Sequence, residues 1–135
     1  MSNSFKYNLK IYYEDTDAGG VVYYANYLKF LERARSEAIY ELGFSNTGLK
    51  NDFGILIIVK SCNIEYKKPV IFEDNITIES IITEITQTSF IMKQNIKKDE
   101  ELMASAEIRL VSVNLNGKPT KIPDILKQKL SVWTN

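Results

Sequence analysis

A short acidic loop near the N-terminus carries the groups in this sequence that are best suited to chemistry. The segment EDTDAGG contains three carboxylates and two adjacent glycines, and a run with helical spacing follows it. A carboxylate such as Asp17 can act as a general base or a nucleophile, and the free N–H groups at a helix N-terminus can hold an oxyanion. These two features together suit acyl transfer. The spacing alone also fits a simpler role, in which Asp15 and Asp17 only cap the helix.

The composition excludes several kinds of catalytic site. The 135 residues include no histidine and a single cysteine, Cys62. Without imidazole the chain cannot build a Ser-His-Asp triad, a Cys-His pair or an HExxH metal site. The formal net charge of zero argues against a general nucleic-acid binder, which would need a basic excess. We therefore expect no metal, no cofactor and no nucleic-acid partner.

The length and the cysteine usage indicate a small intracellular protein. A chain of this size fits one domain, spanning residues 1–135. A lone cysteine cannot form an internal disulfide, which favours a reducing compartment. The first residues lack the apolar core of a signal peptide, and no run approaches the roughly 18 apolar residues of a transmembrane helix. We expect a cytoplasmic protein without an integral membrane segment.

Two hydrophobic periods predict the secondary structure. Residues 5–13 alternate as in a strand with one buried face. A helix of roughly 18 residues follows the acidic loop, ends at Gly43 and leads into a polar connection over residues 44–52. Four strands in series and a short helix opening at Pro123 come after it. The order predicts an α+β architecture, with an antiparallel sheet of about five strands around one long central helix. The apolar positions of that helix are Tyr27, Leu28, Phe30, Leu31, Ala34, Ala38 and Leu42.

The loop and helix also resemble a known family. The segment YYEDTDAGGVVYYANYLKFLERARSEAIYELGF contains a D-x-D-x-x-G-x-V-x-[YFH]-x-x-Y core and then an E-R-A-R-[ST]-E run. This pattern resembles the 4-hydroxybenzoyl-CoA thioesterase family of hotdog-fold enzymes, and within it the YbgC-type acyl-CoA thioesterases linked to the Tol–Pal cell-envelope genes. The resemblance extends over residues 7–126. It implies a hotdog fold, hydrolysis of an acyl-CoA to free acid and CoA, and a homodimer or homotetramer with its site at the subunit interface.

The resemblance implies roles for individual residues. The catalytic aspartate of the family falls on Asp17, and Asp15 becomes the partner that fixes the loop. The oxyanion donor, a backbone N–H at the start of the helix, falls on Tyr24 or on Tyr23. Many YbgC-type members carry histidine at the position of Tyr24, so activity here would depend on Asp17 and the backbone dipole. The residues that would line the substrate site are Gly20, Val59, Lys60, Ser61, Thr88 and Ser89.

The remaining candidate groups have structural explanations. Glu32 and Glu37 lie on the long helix, where some hotdog thioesterases place a catalytic glutamate, but ion pairing with Lys29, Arg33 or Arg35 is the favoured explanation for them. Cys62 falls within an apolar strand and is expected to be a buried, inert thiol.

A second hypothesis comes from a different functional class. The chain could be a non-catalytic module that binds acyl groups or acyl carrier protein, with Tyr24 marking lost activity. Acyl carrier protein is also an alternative thioester donor for an enzyme. Retention of Asp17 and Gly20 favours the enzyme, and thiol release from a panel of acyl-CoAs would separate the two hypotheses. The aromatic residues predicted for a subunit interface are Tyr12, Tyr13, Tyr23, Tyr24 and Phe53.

Overall fold

The computed structural model describes residues 3–134, which form one antiparallel sheet, three α-helices and two single-turn 3-10 helices, Tyr13–Asp15 and Ser131–Trp133. The elements, in chain order, are β1 (Phe5–Lys10), α1 (Tyr24–Glu41), α2 (Asn46–Phe53), β2 (Ile55–Tyr66), β3 (Asn75–Ile85), β4 (Ser89–Lys98), β5 (Glu101–Asn114) and α3 (Asp124–Leu130). The five strands are ordered β1-β3-β4-β5-β2 across the sheet. The predicted α+β architecture is confirmed, and so is the short C-terminal helix, α3, whereas the short helix α2 was not predicted.

Helix α1 packs its apolar face on the inner face of the sheet. Its 18 residues match the predicted length. The predicted positions Tyr27, Leu31 and Ala34 are buried, as spacings of three and four residues require for one helical face. Phe30 is also fully buried, whereas Leu28 lies on the exposed side of α1, contrary to the expectation. The core therefore contacts one broad side of α1 and leaves the opposite side free.

The carboxyl end of α1 is closed by a glycine and by a lysine from α3. Gly43 has a φ of +89°, the left-handed conformation that commonly ends a helix. The Lys129 side chain donates a hydrogen bond from Nζ to the Leu42 carbonyl oxygen at 3.2 Å. The same ammonium lies 5.5 Å from the centre of the Phe44 ring. Helix α3 thus stabilises the end of α1 that is opposite to the acidic loop.

We expect Lys129→Met to lower the free energy of unfolding by about 1 kcal/mol, because the Leu42 carbonyl loses a charged donor at a helix C-terminus. Urea denaturation followed by circular dichroism measures this change. Lys118→Met, in the exposed turn after β5, is the matched control and should have no effect. Equal unfolding midpoints for the two variants would show that the contact contributes nothing.

Helix α2 replaces the polar connection that the sequence predicted. The Ser45 hydroxyl oxygen accepts a hydrogen bond from Gly48 N at 2.9 Å, and Gly54 ends the helix with a φ of +66°. Leu49 is the buried residue of this helix. Helix α2 has eight residues and one buried side chain, which is too little to show a helical hydrophobic period. Only the Ser45 cap and the terminal Gly54 could have indicated this helix from the sequence.

Strand β2 forms one edge of the sheet. It pairs with β5, with a bulge between Val59 and Ser61, and no other strand of the described chain pairs with its free side. Leu56, Ile58 and Val59 are all more than a third exposed. A long edge strand that exposes apolar side chains is a ready site for pairing with another chain.

None of the helices in residues 3–134 has the length and apolar character needed to cross a membrane.

Candidate active site

The acidic loop between β1 and α1 is closed by its own backbone. Asp17 N donates a hydrogen bond to the Val21 carbonyl oxygen at 2.9 Å, and Gly20 N donates to the Asp17 carbonyl oxygen at 3.0 Å. Gly20 has a φ of +75°, which a residue with a side chain would adopt only with strain. The exposed Asp17 carboxylate accepts a hydrogen bond from Gly19 N through Oδ1 at 2.9 Å. Its Oδ2 has no hydrogen-bond partner within the described residues and is open to a ligand or water.

The first turn of α1 begins beside this loop and leaves two backbone N–H groups open. Tyr23 N donates to the Asp15 carbonyl oxygen at 3.3 Å, and Asn26 N donates to the Tyr23 carbonyl oxygen at 2.9 Å. Between them, the N–H groups of Tyr24 and Ala25 have no hydrogen-bond partner in residues 3–134. Of the two predicted oxyanion donors, Tyr23 is thus already engaged and Tyr24 is free. Free N–H groups at a helix N-terminus carry a partial positive charge.

Asp15 joins the end of β1, the loop and the helix. Its side chain is 5% exposed. Oδ2 accepts a hydrogen bond from Tyr12 N at 2.9 Å, and Oδ1 lies 3.5 Å from the Lys29 ammonium. The Asp15 carbonyl oxygen also accepts a hydrogen bond from the Asn26 side chain at 2.8 Å. These contacts hold the loop at a set distance from the start of α1, as expected for a residue that fixes the loop.

An aromatic cleft lies next to the open N–H groups. The rings of Tyr24 and Tyr66 are 4.7 Å apart, and the Tyr66 hydroxyl donates a hydrogen bond to the Tyr24 carbonyl oxygen at 3.4 Å. Tyr27 also packs on Tyr66, with ring centres 5.0 Å apart. The cleft has a volume of about 230 Å³ and is also lined by Val21 and Lys67. It can hold a flat or extended group against the helix start.

Desolvation raises the pKa of two tyrosines in this cleft, Tyr27 and Tyr66. Desolvation raises the pKa of Tyr27, although the hydrogen bond that its oxygen accepts from Val70 N at 3.2 Å acts in the opposite direction. Desolvation also raises the pKa of Tyr66, with a smaller contribution from Cys62. Because a free tyrosine has a pKa of about 10, both hydroxyls stay protonated at neutral pH. They line the cleft as neutral groups.

Within one chain, the other predicted substrate-binding residues lie far from the loop. Val22 N donates to the Val70 carbonyl oxygen, and the segment before Val70 bonds to Met103 near the start of β5. Ser89 instead pairs with Val111 near the end of β5. Met103 and Val111 are eight residues apart, which is roughly 26 Å along a strand. The predicted residues in the middle of β2 or at the far end of the sheet are Val59, Lys60, Ser61, Thr88 and Ser89.

Ser89 has a structural role at that far end. Its hydroxyl lies 2.8 Å from Thr86 Oγ1, which also accepts hydrogen bonds from the backbone of Thr88 and Ser89. These contacts close the hairpin between β3 and β4.

Two expectations about single side chains are wrong. Cys62 is exposed, because β2 is an edge strand and nothing in the described chain covers it at that point. Glu32 and Glu37 form no ion pair within residues 3–134, and Lys29 contacts Asp15 instead.

A second pocket lies between α1 and the inner face of the sheet at the far end. Its volume is about 220 Å³. Its polar lining residues are Glu32, Arg35, Ser36 and Asn46. The apolar side chains that form its walls are Ile39, Ile57, Val59, Phe90, Met92 and Leu110. A larger open cleft of about 560 Å³ is formed mainly by β1 and β3. No residue of the acidic loop lines it, and Glu79 there is paired with Lys6 and Lys97.

Comparison with known proteins decides the family. Residues 12–130 match the sequence model of the thioesterase-like superfamily. The chain belongs to this superfamily. The acyl-CoA thioesterase YbgC of Haemophilus influenzae is 32% identical over 128 residues, which cover 94% of each chain. The acyl-CoA thioester hydrolase YbgC of Escherichia coli is 38% identical over 121 residues, covering 88% of this chain and 90% of the relative.

Solved structures agree with the family assignment. The crystal structure of a "probable thioesterase" from Bartonella henselae superposes with a TM-score of 0.85 at 32% identity, and covers 90% of this chain and 100% of that one. The predicted hotdog fold and the resemblance to YbgC-type thioesterases are confirmed. By class, this member of the thioesterase-like superfamily is a thioester hydrolase.

The described residues contain no group of three or more His, Cys, Asp or Glu side chains that could hold a metal ion.

Two residues at the site of this thioesterase chain were not indicated by the sequence motifs. Asn26 and Tyr66 contact the loop and the helix start but were absent from the predicted set. Asn26 had a weak signal, since a side-chain amide in the first turn of a helix commonly bonds to nearby backbone. Tyr66 had none, because its position follows from how the end of β2 meets α1.

Proposed function

We propose that the chain hydrolyses acyl-CoA thioesters to a free acid and CoA, with Asp17 as the catalytic carboxylate and the Tyr24 N–H as the oxyanion donor. The observation that carries the proposal is one closed loop that joins an exposed carboxylate to the open N-terminus of an 18-residue helix. The names of the YbgC relatives supply the substrate class.

The proposed reaction uses the carboxylate and the helix dipole together. The thioester carbonyl oxygen accepts a hydrogen bond from Tyr24 N–H. Asp17 takes a proton from a water molecule, whose oxygen attacks the carbonyl carbon. The negative charge that forms on the carbonyl oxygen is stabilised by the helix N-terminus, and one such donor typically contributes about 3–4 kcal/mol. When the C–S bond breaks, the thiolate leaves and takes up the proton, so no strong general acid is required.

We also propose that the active unit is a homodimer formed through β2. Two copies of this edge strand that pair antiparallel about a two-fold axis run in opposite directions. The Tyr66 end of one copy then faces the Ile55 end of the other. The Asp17 loop of one chain is thereby placed beside the Val59 and Ser89 region of its partner, which would complete the site that one chain leaves divided. The aromatic residues predicted for an interface are exposed as this requires: Tyr12, Tyr13, Tyr23, Tyr24 and Phe53.

The proposal also includes the carrier of the acyl group, which is CoA, and the cellular location. We assign a cytoplasmic location, supported by the lone cysteine. Release of free thiol from short- and long-chain acyl-CoAs tests the activity, and a parallel assay with acyl carrier protein as donor tests the choice of carrier. Tight binding of acyl carrier protein without turnover of any thioester would instead favour the non-catalytic module.

A mixing experiment tests the shared site. Asp17→Asn removes the carboxylate, whereas Val59→Trp fills the pocket on the other half. We expect each variant alone to be nearly inactive, and co-expressed chains to recover about a quarter of the wild-type activity, because half of the dimers contain one intact site of two. Thiol release measures the recovery. A mixture no more active than its parts would place the whole site within one chain.

A further inference from the structure

Arg35 is a half-buried cation that has no ion-pair partner among the described residues. It projects from α1 and lines the 220 Å³ pocket. Its guanidinium donates one hydrogen bond, from Nη1 to Gln94 Oε1 at 3.0 Å. Desolvation lowers the pKa of Arg35, against smaller opposing contributions from Cys62 and Glu32, yet a guanidinium stays charged at neutral pH. Buried arginines are normally paired, so this one has unused capacity for an anion.

Gln94 holds this cation in one orientation. The Gln94 side chain is fully buried. Its Nε2 donates to the Leu31 carbonyl oxygen at 3.1 Å and to Ser80 Oγ at 3.0 Å. Because both amide hydrogens are engaged, Oε1 must face Arg35. The guanidinium is therefore fixed at the pocket by a neutral group that leaves its charge intact.

The pocket itself is small and mostly apolar. Besides Arg35 and Glu32 it has two neutral polar lining residues, Ser36 and Asn46, and its volume is below the roughly 300–1,000 Å³ that drug-sized ligands occupy. Glu32, one turn before Arg35 on the same face, is exposed and lies beyond ion-pairing distance. A ligand that suits this site has a short apolar body and an anionic end.

We propose that Arg35 determines acyl specificity, and that the pocket takes a short acyl chain ending in a carboxylate. This inference rests on the proposed function, in which the thioester is held at Tyr24 of the second copy and the acyl chain extends into this pocket. The carboxylate accepts two parallel hydrogen bonds from the guanidinium, and the methylenes contact Ile57 and Val59. A neutral chain of equal length leaves Arg35 unpaired and binds less well.

Matched substrates test the proposal. Succinyl-CoA and glutaryl-CoA are compared with butyryl-CoA and pentanoyl-CoA on the full-length protein. We expect kcat/KM to be at least about 10-fold higher for the carboxylated member of each pair. Arg35→Gln should remove this preference while hydrolysis of the neutral substrates continues, and Arg35→Lys should retain part of it. Arg33→Gln, an exposed arginine on the same helix, is the control and should keep the wild-type ratio.

A binding measurement keeps the inference separate from the catalytic proposal. Calorimetry on the Asp17→Asn protein gives the dissociation constants of glutaryl-CoA and pentanoyl-CoA without turnover. Tighter binding of glutaryl-CoA that disappears in the Asp17→Asn, Arg35→Gln double variant supports the inference even if no hydrolysis is found. Equal affinities, or an equal loss for both ligands in the double variant, would overturn it.

Discussion

Asp17→Asn should lower kcat for acyl-CoA hydrolysis by about 10²–10⁴-fold, the usual contribution of a positioned general base. The amide cannot take a proton from water or attack the thioester. The fold should be unaffected, because the side chain is exposed and an asparagine oxygen can still accept the hydrogen bond from Gly19 N. Thiol release measures the turnover, and thermal unfolding confirms that the variant is folded.

The neighbouring carboxylate Glu14 provides the matched control. It is exposed on the same loop, and Glu14→Gln changes the local charge by the same amount. We expect this control to keep wild-type turnover, which would separate a general electrostatic effect from the chemistry of Asp17. An Asp17→Asn protein with full turnover would refute the catalytic assignment.

Asp15→Ala should affect both stability and catalysis. Removal of the carboxylate takes the charged acceptor from the partly buried Tyr12 N, and a hydrogen bond to a charged group typically contributes about 1.5–3 kcal/mol of unfolding free energy. The contact with the half-exposed Lys29 ammonium adds little to this. The loop also loses its fixed distance from α1. A misplacement of about 1 Å at a catalytic group can reduce turnover about 10²-fold. Urea denaturation gives the first effect, and kcat measured at saturating substrate gives the second.

Two further variants separate these effects. Asp15→Asn keeps an oxygen for Tyr12 N but loses the charge beside Lys29, so it should fall between the wild type and the alanine variant. Asp124→Ala removes an exposed carboxylate paired with Lys121 at 3.3 Å and should change stability by less than about 1 kcal/mol. Unchanged kcat and stability in Asp15→Ala would show that the loop does not depend on this residue.

The sequence by itself determined the strands, α1 and α3, and the loop that carries the proposed catalytic carboxylate. Spacings of three and four residues identified α1 and its buried face, since only one helical side can contact a sheet. The acidic loop with Gly20 placed a carboxylate directly before a helix, and this local order persists in any fold that keeps both. The strands followed from their period of two, which reports the buried face without indicating the neighbouring strand.

Only the tertiary structure decided which residues meet across the fold. The strand order placed β2 at an edge, which exposes Cys62 and divides the predicted site between the two ends of the sheet. It also brought Tyr66 onto Tyr24 and Gln94 beneath Arg35, across 42 and 59 residues of sequence. The hydrophobic period of a segment reports only which face of that one helix or strand is buried. It carries no information about such distant contacts, because these depend on how several elements pack together.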